Sequence, residues 1–277
     1  MADLSYRITI KPKKGWATLN VRELWFYKEL FYIFAWRDIK VRYKQTAIGI
    51  LWALLQPFLS MVIFSIFFGG LAKIPSNGIP YPIFVFSGLL FWNYFSTSLS
   101  GSSNSLIMNE GMIKKIFFPR LLLPLSATIT PIVDFGFALV VLVGLMIFYH
   151  FTPTVWGIIL LPGLILLSFL SASGLGSFFA AINIRYRDVR EALPFFVQTI
   201  FFVTPVIYPT TLVPVKFQWV LALNPMTGII EAARAGIVGN KPINFHLLLV
   251  STGVAVALFL FGVFYFKRTE KIFADIA

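Results

Sequence analysis

Cysteine is absent from this chain of 277 residues, and only 12% of its residues are Asp, Glu, Lys or Arg. Without cysteine there is no disulfide framework and no thiolate metal site. Because soluble domains are about one quarter charged, the low charge excludes an ordinary soluble class. The chain is 58% hydrophobic, and several apolar runs approach the ~20 residues that cross a bilayer. The composition therefore predicts an all-α polytopic membrane protein.

Motifs for catalysis are missing as well. No GxxxxGK[ST] sequence occurs, so the chain does not bind ATP through a P-loop. No GxSxG nucleophile elbow occurs, and the isolated His150 and His246 make no metal site. No signal-peptide pattern occurs in the first ~40 residues, so the first span is expected to direct insertion. These absences predict that the chain has no enzymatic activity and holds no cofactor or metal of its own.

Six membrane spans are predicted from the apolar runs. They are Ile48–Leu71, Ile83–Leu106, Leu121–His150, Gly157–Ile182, Ala192–Tyr208 and Phe245–Phe266. They form a six-span core (48–266) in one domain of residues 1–277, with a cytoplasmic segment (1–46) before it and a cytoplasmic tail (267–277) after it. In the fourth span, small residues recur at every fourth position and predict a close-packing face: Ala172, Gly176, Ala180, Ser173, Ser177 and Ala181.

The net charge of +12 is distributed unevenly along these spans. All but four of the 23 Lys and Arg residues fall on one side of the membrane, the exceptions being Lys73, Lys216, Arg234 and Lys241. This bias predicts that both termini are cytoplasmic. It also favours anionic lipid headgroups over nucleic acid as the partner of the positive charge.

Residues Asn20–Trp36 are predicted to form an amphipathic helix, with Phe26, Leu30, Ile33 and Phe34 on one face. Such a helix is expected to lie in the headgroup plane. Packing against a soluble partner is the alternative.

A row of cations follows that helix before the first span. Arg37, Lys40 and Lys44 continue its apolar stripe, and Arg42 lies among them. Arginine can hold a phosphate through two hydrogen bonds, and lysine can hold it as a point charge. The row is either a site for a lipid phosphate or pyrophosphate, or only the anchor that sets the topology.

The segment Asn109–Arg120 is predicted to be cytoplasmic and too short for a domain. It mixes charged residues with apolar ones, which suggests a short helix pressed into a groove of a partner. A loop lying on the bilayer is the alternative. The charged members are Glu110, Lys114, Lys115 and Arg120, and the apolar members are Met112, Ile113, Ile116, Phe117 and Phe118.

Asp134 is the only acid inside a predicted span. An intramembrane carboxylate usually has a function. Because the spans offer no evident cationic partner, a protonated or hydrogen-bonded packing role is favoured over a proton relay.

The fifth span is rich in aromatic residues, which either face lipid or stack on sugars, with Gln198 supplying a hydrogen bond. After it, Pro209–Pro242 predicts two short helices, Trp219–Leu223 and Ile229–Val238, that dip into the outer leaflet. Glu231 and Arg234 are placed to pair on the polar face of the second one. Re-entrant backbone is tolerated only beside protein or water, so a conduit is expected nearby.

Several motifs in order resemble the ABC-2 type permeases of polysaccharide exporters. They are RDIKVRYKQTAIGILWALLQP at the first span, GMIKKIFFPRLLLP after the second, YRDVREALPFFVQ and TPVIYP at the two ends of the fifth, NPMTGIIEAAR, and the tail RTEKIFAD. The resemblance runs from about Trp36 to Asp275.

The resemblance implies a homodimer in the bacterial inner (plasma) membrane, with two separate ABC ATPase subunits that carry ATP and Mg²⁺. It implies export of a lipid-linked polysaccharide such as O-antigen, teichoic acid or capsule. A coupling loop is implied at Glu110–Arg120, with Glu110, Lys114, Lys115, Phe118 and Arg120 as its candidates. Channel-lining candidates are Trp52, Gln56, Phe195, Gln198, Phe202 and Tyr208. Outer-gate candidates are Trp219, Asn224, Glu231 and Arg234.

Two other functions remain open. An ABC-2 exporter of a small drug or lipid would have a closed apolar cleft rather than a wide path lined by aromatic rings. A membrane-bound transferase or scaffold would not depend on an ATPase.

Overall fold

The computed structural model describes residues 21–44, 49–186, 188–238 and 242–273. Within these ranges the chain contains helices, turns and irregular segments but no β-strand. The α-helices are α1 Val21–Phe26, α2 Lys28–Lys44, α3 Gly49–Phe64, α4 Tyr81–Met108, α5 Glu110–Ile113, α6 Leu122–Ile129, α7 Ile132–Phe148, α8 Val155–Asn183, α9 Asp188–Val203, α10 Val215–Ala222, α11 Pro225–Val238 and α12 Phe245–Thr269. A π-helical segment, Ser65–Leu71, continues α3, and 3-10 turns cover Thr210–Leu212 and Glu270–Ile272.

Four stretches of the described chain are long and apolar enough to cross a membrane. They are Leu51–Leu71, Leu122–Phe148, Val155–Asn183 and Phe245–Thr269. The predicted second span forms α4, whose 28 residues extend about 42 Å, but its serines lower its hydropathy. The predicted fifth span forms α9, which has 16 residues. The structure therefore shows a multi-pass helical protein, and six crossings remain a prediction.

Close packing of α8 against α4 and α12 holds the centre of the bundle together. A Cβ on Gly174 would lie 2.6 Å from the Leu258 carbonyl oxygen, and one on Gly262 would overlap the carbonyl of Gly174. On the other side of α8, a Cβ on Gly176 would overlap the side chain of Ser102. The predicted close-packing face of the fourth span is confirmed, because only glycine lets these backbones approach so closely.

Proline divides the predicted third span into two helices. α6 ends at Ile129 and α7 begins at Ile132, with Pro131 between them. Proline lacks a backbone N–H and its ring crowds the preceding turn, so a helix bends or restarts there.

A second proline ends α9 earlier than predicted. The helix runs from Asp188 to Val203, so the predicted end of the fifth span at Tyr208 is wrong. Pro205 disfavours the helical conformation of the residue before it. The last residues of the predicted span therefore form a non-helical segment that packs against α4 and α11.

The N-terminal helix is longer than predicted, and part of its predicted apolar face is buried against the protein. Only Tyr27 separates α1 from α2, and α2 continues to Lys44. Phe34 is buried, with its ring 5.5 Å from that of Phe118, whereas Phe26 and Ile33 are exposed. The helix is therefore fastened to the protein through Phe34, and its position in the headgroup plane stays a prediction.

Two short helices, α10 and α11, follow α9, as the sequence predicted. α11 packs against α8, α12 and α4, and most of its side chains are buried. The depth of these helices in the outer leaflet is untested.

Candidate functional site

A cleft of about 1110 Å³ lies between α2, α4 and α9. The end of α3 and the start of α7 complete its wall through Phe64 and Pro131. It brings together residues that are far apart in the sequence, including Arg37 of α2 and Gln198 of α9. We treat this cleft as the candidate functional site.

One face of α4 forms the longest wall of the cleft. Trp92, Ser96, Ser100, Asn104 and Met108 repeat at every fourth position and all line the cleft. At 1.5 Å of rise per residue, this stripe is about 24 Å long. Hydroxyl and amide groups in the middle of the stripe can exchange hydrogen bonds with a hydroxyl-rich ligand.

Aromatic side chains close one end of the cleft. Phe201 stacks on Phe64 with ring centroids 5.9 Å apart, and Trp92 lies 5.5 Å from Phe201. Phe202 of α9 also lines this end and is exposed. Rings of this kind offer flat apolar surfaces to a sugar face or to a lipid tail.

Two arginines of α2 also line the cleft. Arg37 donates two hydrogen bonds to Asp38, from Nε at 2.9 Å and from Nη2 at 2.7 Å. Both residues line the cleft, as does Arg42. Two of the four cations predicted to meet a lipid phosphate therefore line the cleft, and their role there remains a prediction.

Asp134 has a cationic partner that lies outside the predicted spans, to which the sequence analysis had confined its search. Nη2 of Arg42 lies 2.5 Å from a carboxylate oxygen of Asp134, and the Tyr43 hydroxyl donates to the other oxygen. The partners come from α2, outside the predicted spans, where a search confined to the spans could not find them. Burial, followed by the hydrogen bond to Asp134, raises the pKa of the Tyr43 phenol, so it donates as a neutral hydroxyl.

The other two predicted cations lie on a different surface of α2. Lys40 and Lys44 line a groove of about 370 Å³ together with Tyr32 and Trp36. Nζ of Lys40 lies 5.4 Å from the centroid of the Trp36 ring. Amphipathic aromatic rings beside lysines are typical of a membrane interface.

A smaller cavity of about 130 Å³ lies behind the ion pair. Gln56 and Asn93 line it together with Asp134 and Thr97. Arg42 lines both this cavity and the large cleft. The predicted channel residue Gln56 is therefore adjacent to the cleft rather than in its wall.

The remaining channel candidates lie elsewhere. Trp52 and Phe195 are exposed side chains outside the cleft, 57% and 75% accessible in the single chain. The Tyr208 hydroxyl donates to the carbonyls of Phe202 and Val203, at 3.2 and 2.8 Å, and so closes the C-terminal end of α9. Of the six candidates, the structure brings Gln198 and Phe202 to the cleft.

The predicted coupling loop has an exposed part and an anchored part. Lys114 pairs with Glu110 at 2.6 Å on the surface, beside exposed Lys115 and Phe117. Phe118 is buried against the chain itself. It therefore positions the loop and does not offer its ring to a partner.

Arg120 fastens the same loop to the C-terminal end of α12. Its backbone N–H donates to the Glu270 carboxylate at 3.0 Å, and its Nη1 donates to the Glu270 carbonyl at 2.7 Å. Lys267 pairs with the same carboxylate at 2.7 Å.

The predicted outer-gate pair exists, but its setting was predicted wrongly. Arg234 lies 3.3 Å from Glu231 and is only 4% exposed, so it faces the protein rather than a polar surface. It donates to the carbonyls of Phe84, Pro205 and Val206.

The other two outer candidates differ in their surroundings. Trp219 is exposed, whereas Asn224 joins the segment after α9 to α11. The Asn224 amide donates to the Thr204 hydroxyl at 2.7 Å and accepts from the Met226 N–H at 3.0 Å. A gating role for either residue stays a prediction.

Sequence reasoning missed the wall of α4. The spacing of Trp92, Ser96, Ser100 and Asn104 could have indicated it. Ser98, Ser102, Ser103 and Ser105 of the same helix are instead buried. No group of three or more His, Asp or Glu side chains that could hold a metal ion occurs in the part of the chain that the structure describes.

Several helices long and apolar enough to cross a membrane, together with a large open cleft, define a polytopic membrane protein. The chain belongs to the ABC-2 type transporter family, whose model matches residues 29–238. It is 30% identical over 258 residues to the O-antigen export system permease protein RfbA of Myxococcus xanthus, covering 92% of this chain and 98% of that one. RfbA of Klebsiella pneumoniae is 29% identical over 252 residues, 90% of this chain and 95% of the relative. The polysialic acid transport protein KpsM of Escherichia coli is 23% identical over 245 residues, 85% of this chain and 92% of the relative.

Proposed function

We propose that this chain is the transmembrane permease subunit of an ATP-driven ABC exporter. Its substrate is a lipid-linked polysaccharide, with O-antigen as the first expectation and teichoic acid or capsule next. The named relatives and the ABC-2 family support this assignment. The observation that carries it is the large cleft lined by two arginines, by serines of α4 and by aromatic rings.

Each part of the cleft suits one part of such a substrate. Arg37 and Arg42 are placed for a lipid-linked phosphate, since guanidinium groups form paired hydrogen bonds with phosphate oxygens. Ser96, Ser100 and Asn104 suit sugar hydroxyls, and the rings of Trp92 and Phe201 suit sugar faces. A small apolar drug would gain nothing from the polar middle section.

Two copies complete the conduit in this proposal. In the single chain, α3 exposes Trp52 and Gln56, and α9 exposes Phe195 and Phe202. Apolar and aromatic surface of this extent would be covered by a second copy or by lipid. The proposal places the exposed faces of α3 and α9 from both copies around a shared path in the bacterial inner membrane, with both termini in the cytoplasm.

Energy comes from separate ATPase subunits in this proposal. The exposed part of the 110–120 loop, with Ile116 and Phe117 59% and 71% accessible, is the surface for that partner. Closure of the ATPases on ATP would push the loop, and the loop is fastened to α2 and α12 through Phe118 and Arg120.

Reconstitution with its ATPase tests the proposal. Lipid-linked glycan should stimulate ATP hydrolysis in proteoliposomes, and the same lipid without glycan should stimulate it less. Replacing Ser100 by Trp should narrow the cleft and reduce stimulation, whereas Val140→Trp, on an exposed position of α7, should preserve it. Equal stimulation by small apolar drugs, or full export by Ser100→Trp, would contradict a polysaccharide path through this cleft.

A further inference from the structure

Two asparagines join the wall of the cleft to the helix behind it. Asn104 of α4 lines the cleft, whereas Asn183, the last residue of α8, is only 1% exposed and lies behind that wall. Nδ2 of Asn183 donates to Oδ1 of Asn104 at 3.1 Å and to the Ser103 carbonyl at 3.1 Å. Nδ2 of Asn104 donates to the Ser100 carbonyl at 2.9 Å. The two side chains therefore form a short chain of hydrogen bonds that begins and ends on backbone carbonyls.

These backbone carbonyls fix the direction of the hydrogen-bond chain. A carbonyl oxygen only accepts, so each one faces an amide nitrogen and not an amide oxygen. The Ser103 carbonyl thereby sets the orientation of the Asn183 amide, and the Ser100 carbonyl sets that of the Asn104 amide. The Asn104 oxygen is consequently turned towards Asn183 and is already occupied.

The group that Asn104 can still offer to a ligand is a donor. An amide nitrogen carries two hydrogens, and the Ser100 carbonyl accepts one of them. The Asn104 side chain is partly exposed, and its neighbours along the wall, Ser100 and Met108, carry no charge. This part of the cleft therefore suits an uncharged group that accepts a hydrogen bond.

We infer that Asn183 is a positioning residue that makes Asn104 a fixed donor, and that the cleft prefers N-acylated amino sugars for this reason. This inference rests on the proposed function, and it names a class of sugar for the same cleft.

The preference follows from what each sugar group needs in return. The acyl carbonyl of an N-acylated sugar accepts and has no hydrogen to place, so it matches a fixed donor. A sugar hydroxyl that accepts from Asn104 still carries its own hydrogen, and the Asn104 oxygen is not available to accept it. An asparagine that could turn freely would offer its oxygen to the hydroxyl and lose this discrimination.

The burial of Asn183 supports a role beyond packing. Its Oδ1 atom has no hydrogen-bond partner among the residues that the structure describes. The amide therefore contributes to these contacts through its two donors, one of which goes to Asn104. A leucine of similar size would fill the same space without a buried amide oxygen, so packing alone does not require an asparagine here.

Two tetrasaccharides that share one backbone test this inference. Tetra-N-acetylchitotetraose carries acetamido groups where cellotetraose carries hydroxyls. Each is titrated against the purified full-length protein in nanodiscs of neutral lipid, and binding is followed by saturation-transfer NMR. The unmodified protein should bind the N-acetylated tetrasaccharide about threefold more tightly or better, as expected for one neutral hydrogen bond.

Variants of the two asparagines separate positioning from direct contact. Asn183→Leu keeps the size of the side chain but removes both donors, so it should release the Asn104 amide and abolish the preference. Asn104→Leu should abolish it as well, and in that background Asn183→Leu should have no further effect, because Asn183 acts only through Asn104.

Two further variants control for folding. Ser177→Ala removes another buried polar group of α8, whose hydroxyl has no hydrogen-bond partner among the described residues, and it should leave the preference unchanged. Asn183→Thr keeps one donor in place of two and should lower the preference. If Asn183→Leu does not fold, as judged by its melting curve, this milder variant decides the question.

The opposite results overturn the inference. They are equal or weaker binding of the N-acetylated tetrasaccharide by the unmodified protein, no binding of either one, an unchanged preference in the folded Asn183 variants, or a further effect of Asn183→Leu in the Asn104→Leu background. If lipid-linked glycans stimulate ATP hydrolysis without such a preference, the inference fails and the proposed function stands. If the preference depends on Asn183 but lipid-linked glycans fail to stimulate ATP hydrolysis, the proposed function fails and the positioning role of Asn183 stands.

Discussion

Replacing Arg234 by Met should strongly destabilise the region where α4, α11 and the segment after α9 meet. The guanidinium donates from Nε to the Phe84 carbonyl at 3.2 Å, from Nη1 to that of Pro205 at 2.7 Å, and from Nη2 to that of Val206 at 2.5 Å. It also pairs with Glu231 at 3.3 Å. One side chain thus joins α4, the segment after α9, and α11.

The expected loss follows from these four contacts. Hydrogen bonds in membrane proteins average about 0.6 kcal/mol each, which sets a lower bound of roughly 2.4 kcal/mol. A buried carbonyl without a donor costs about 1–3 kcal/mol, and removing one partner of a buried ion pair costs about 3–5 kcal/mol. We expect a loss of about 4 kcal/mol, because the site is nearly sealed from water. For a chain of this size, that corresponds to a fall in Tm on the order of 10 °C.

Thermal unfolding of the purified protein in detergent measures this effect. Arg234→Lys should lie between the unmodified protein and Arg234→Met, since lysine keeps the charge but not the planar fork. Lys216→Met, at an exposed position of the neighbouring α10, is the matched control and should change stability by less than about 0.5 kcal/mol. If Arg234→Met melts at the same temperature as Lys216→Met, the anchoring role assigned to the guanidinium is refuted.

Three further predictions concern packing and coupling. Gly262→Ala should destabilise the α8–α12 contact by about 1–3 kcal/mol, because its Cβ would meet the backbone of Gly174. Gly253→Ala on the same helix has open space around its Cβ and is the control. It should be neutral or stabilising in the same melting assay. Phe117→Ser should weaken co-purification of the ATPase and leave the melting temperature unchanged. Phe118→Ser should lower the melting temperature, because Phe118 is buried. The reverse pattern would show that Phe117 is not part of the docking surface. Reversing the charges of Lys114 and Lys115 together should uncouple ATP hydrolysis from export while the protein still inserts, and normal export by that variant would contradict the loop assignment.

Local patterns in the sequence were enough to predict much of the helical framework. Apolar runs and small-residue spacing located the helices and the packing face of α8, since both depend on residues close together in the chain. Helix ends were less certain where proline intervened. Pro205 ended α9 at Val203, although the apolar run continues to Tyr208.

Most of the contacts that could not be predicted from the sequence join residues that are far apart in the chain. Asp134 was judged within its own span, but its partners Arg42 and Tyr43 lie on α2. Arg234 is a similar case. Its pairing with the nearby Glu231 was predicted from the sequence, but its three carbonyl partners lie on α4 and on the segment after α9. Carbonyl acceptors exist at every residue, so no sequence pattern distinguishes those that a buried arginine will meet.

The anchoring of α2 connects the proposed coupling loop to the cleft. Phe34 packs against Phe118 of the loop, and Arg37, one turn further along the same helix, lines the cleft. If the ATPases push the loop as proposed, the displacement of Phe118 would reach Arg37 through one continuous helix, because Phe34 and Arg37 both lie on α2. Arg42, further along α2, is tied to α7 through Asp134, so a moving α2 would have to break or carry that ion pair.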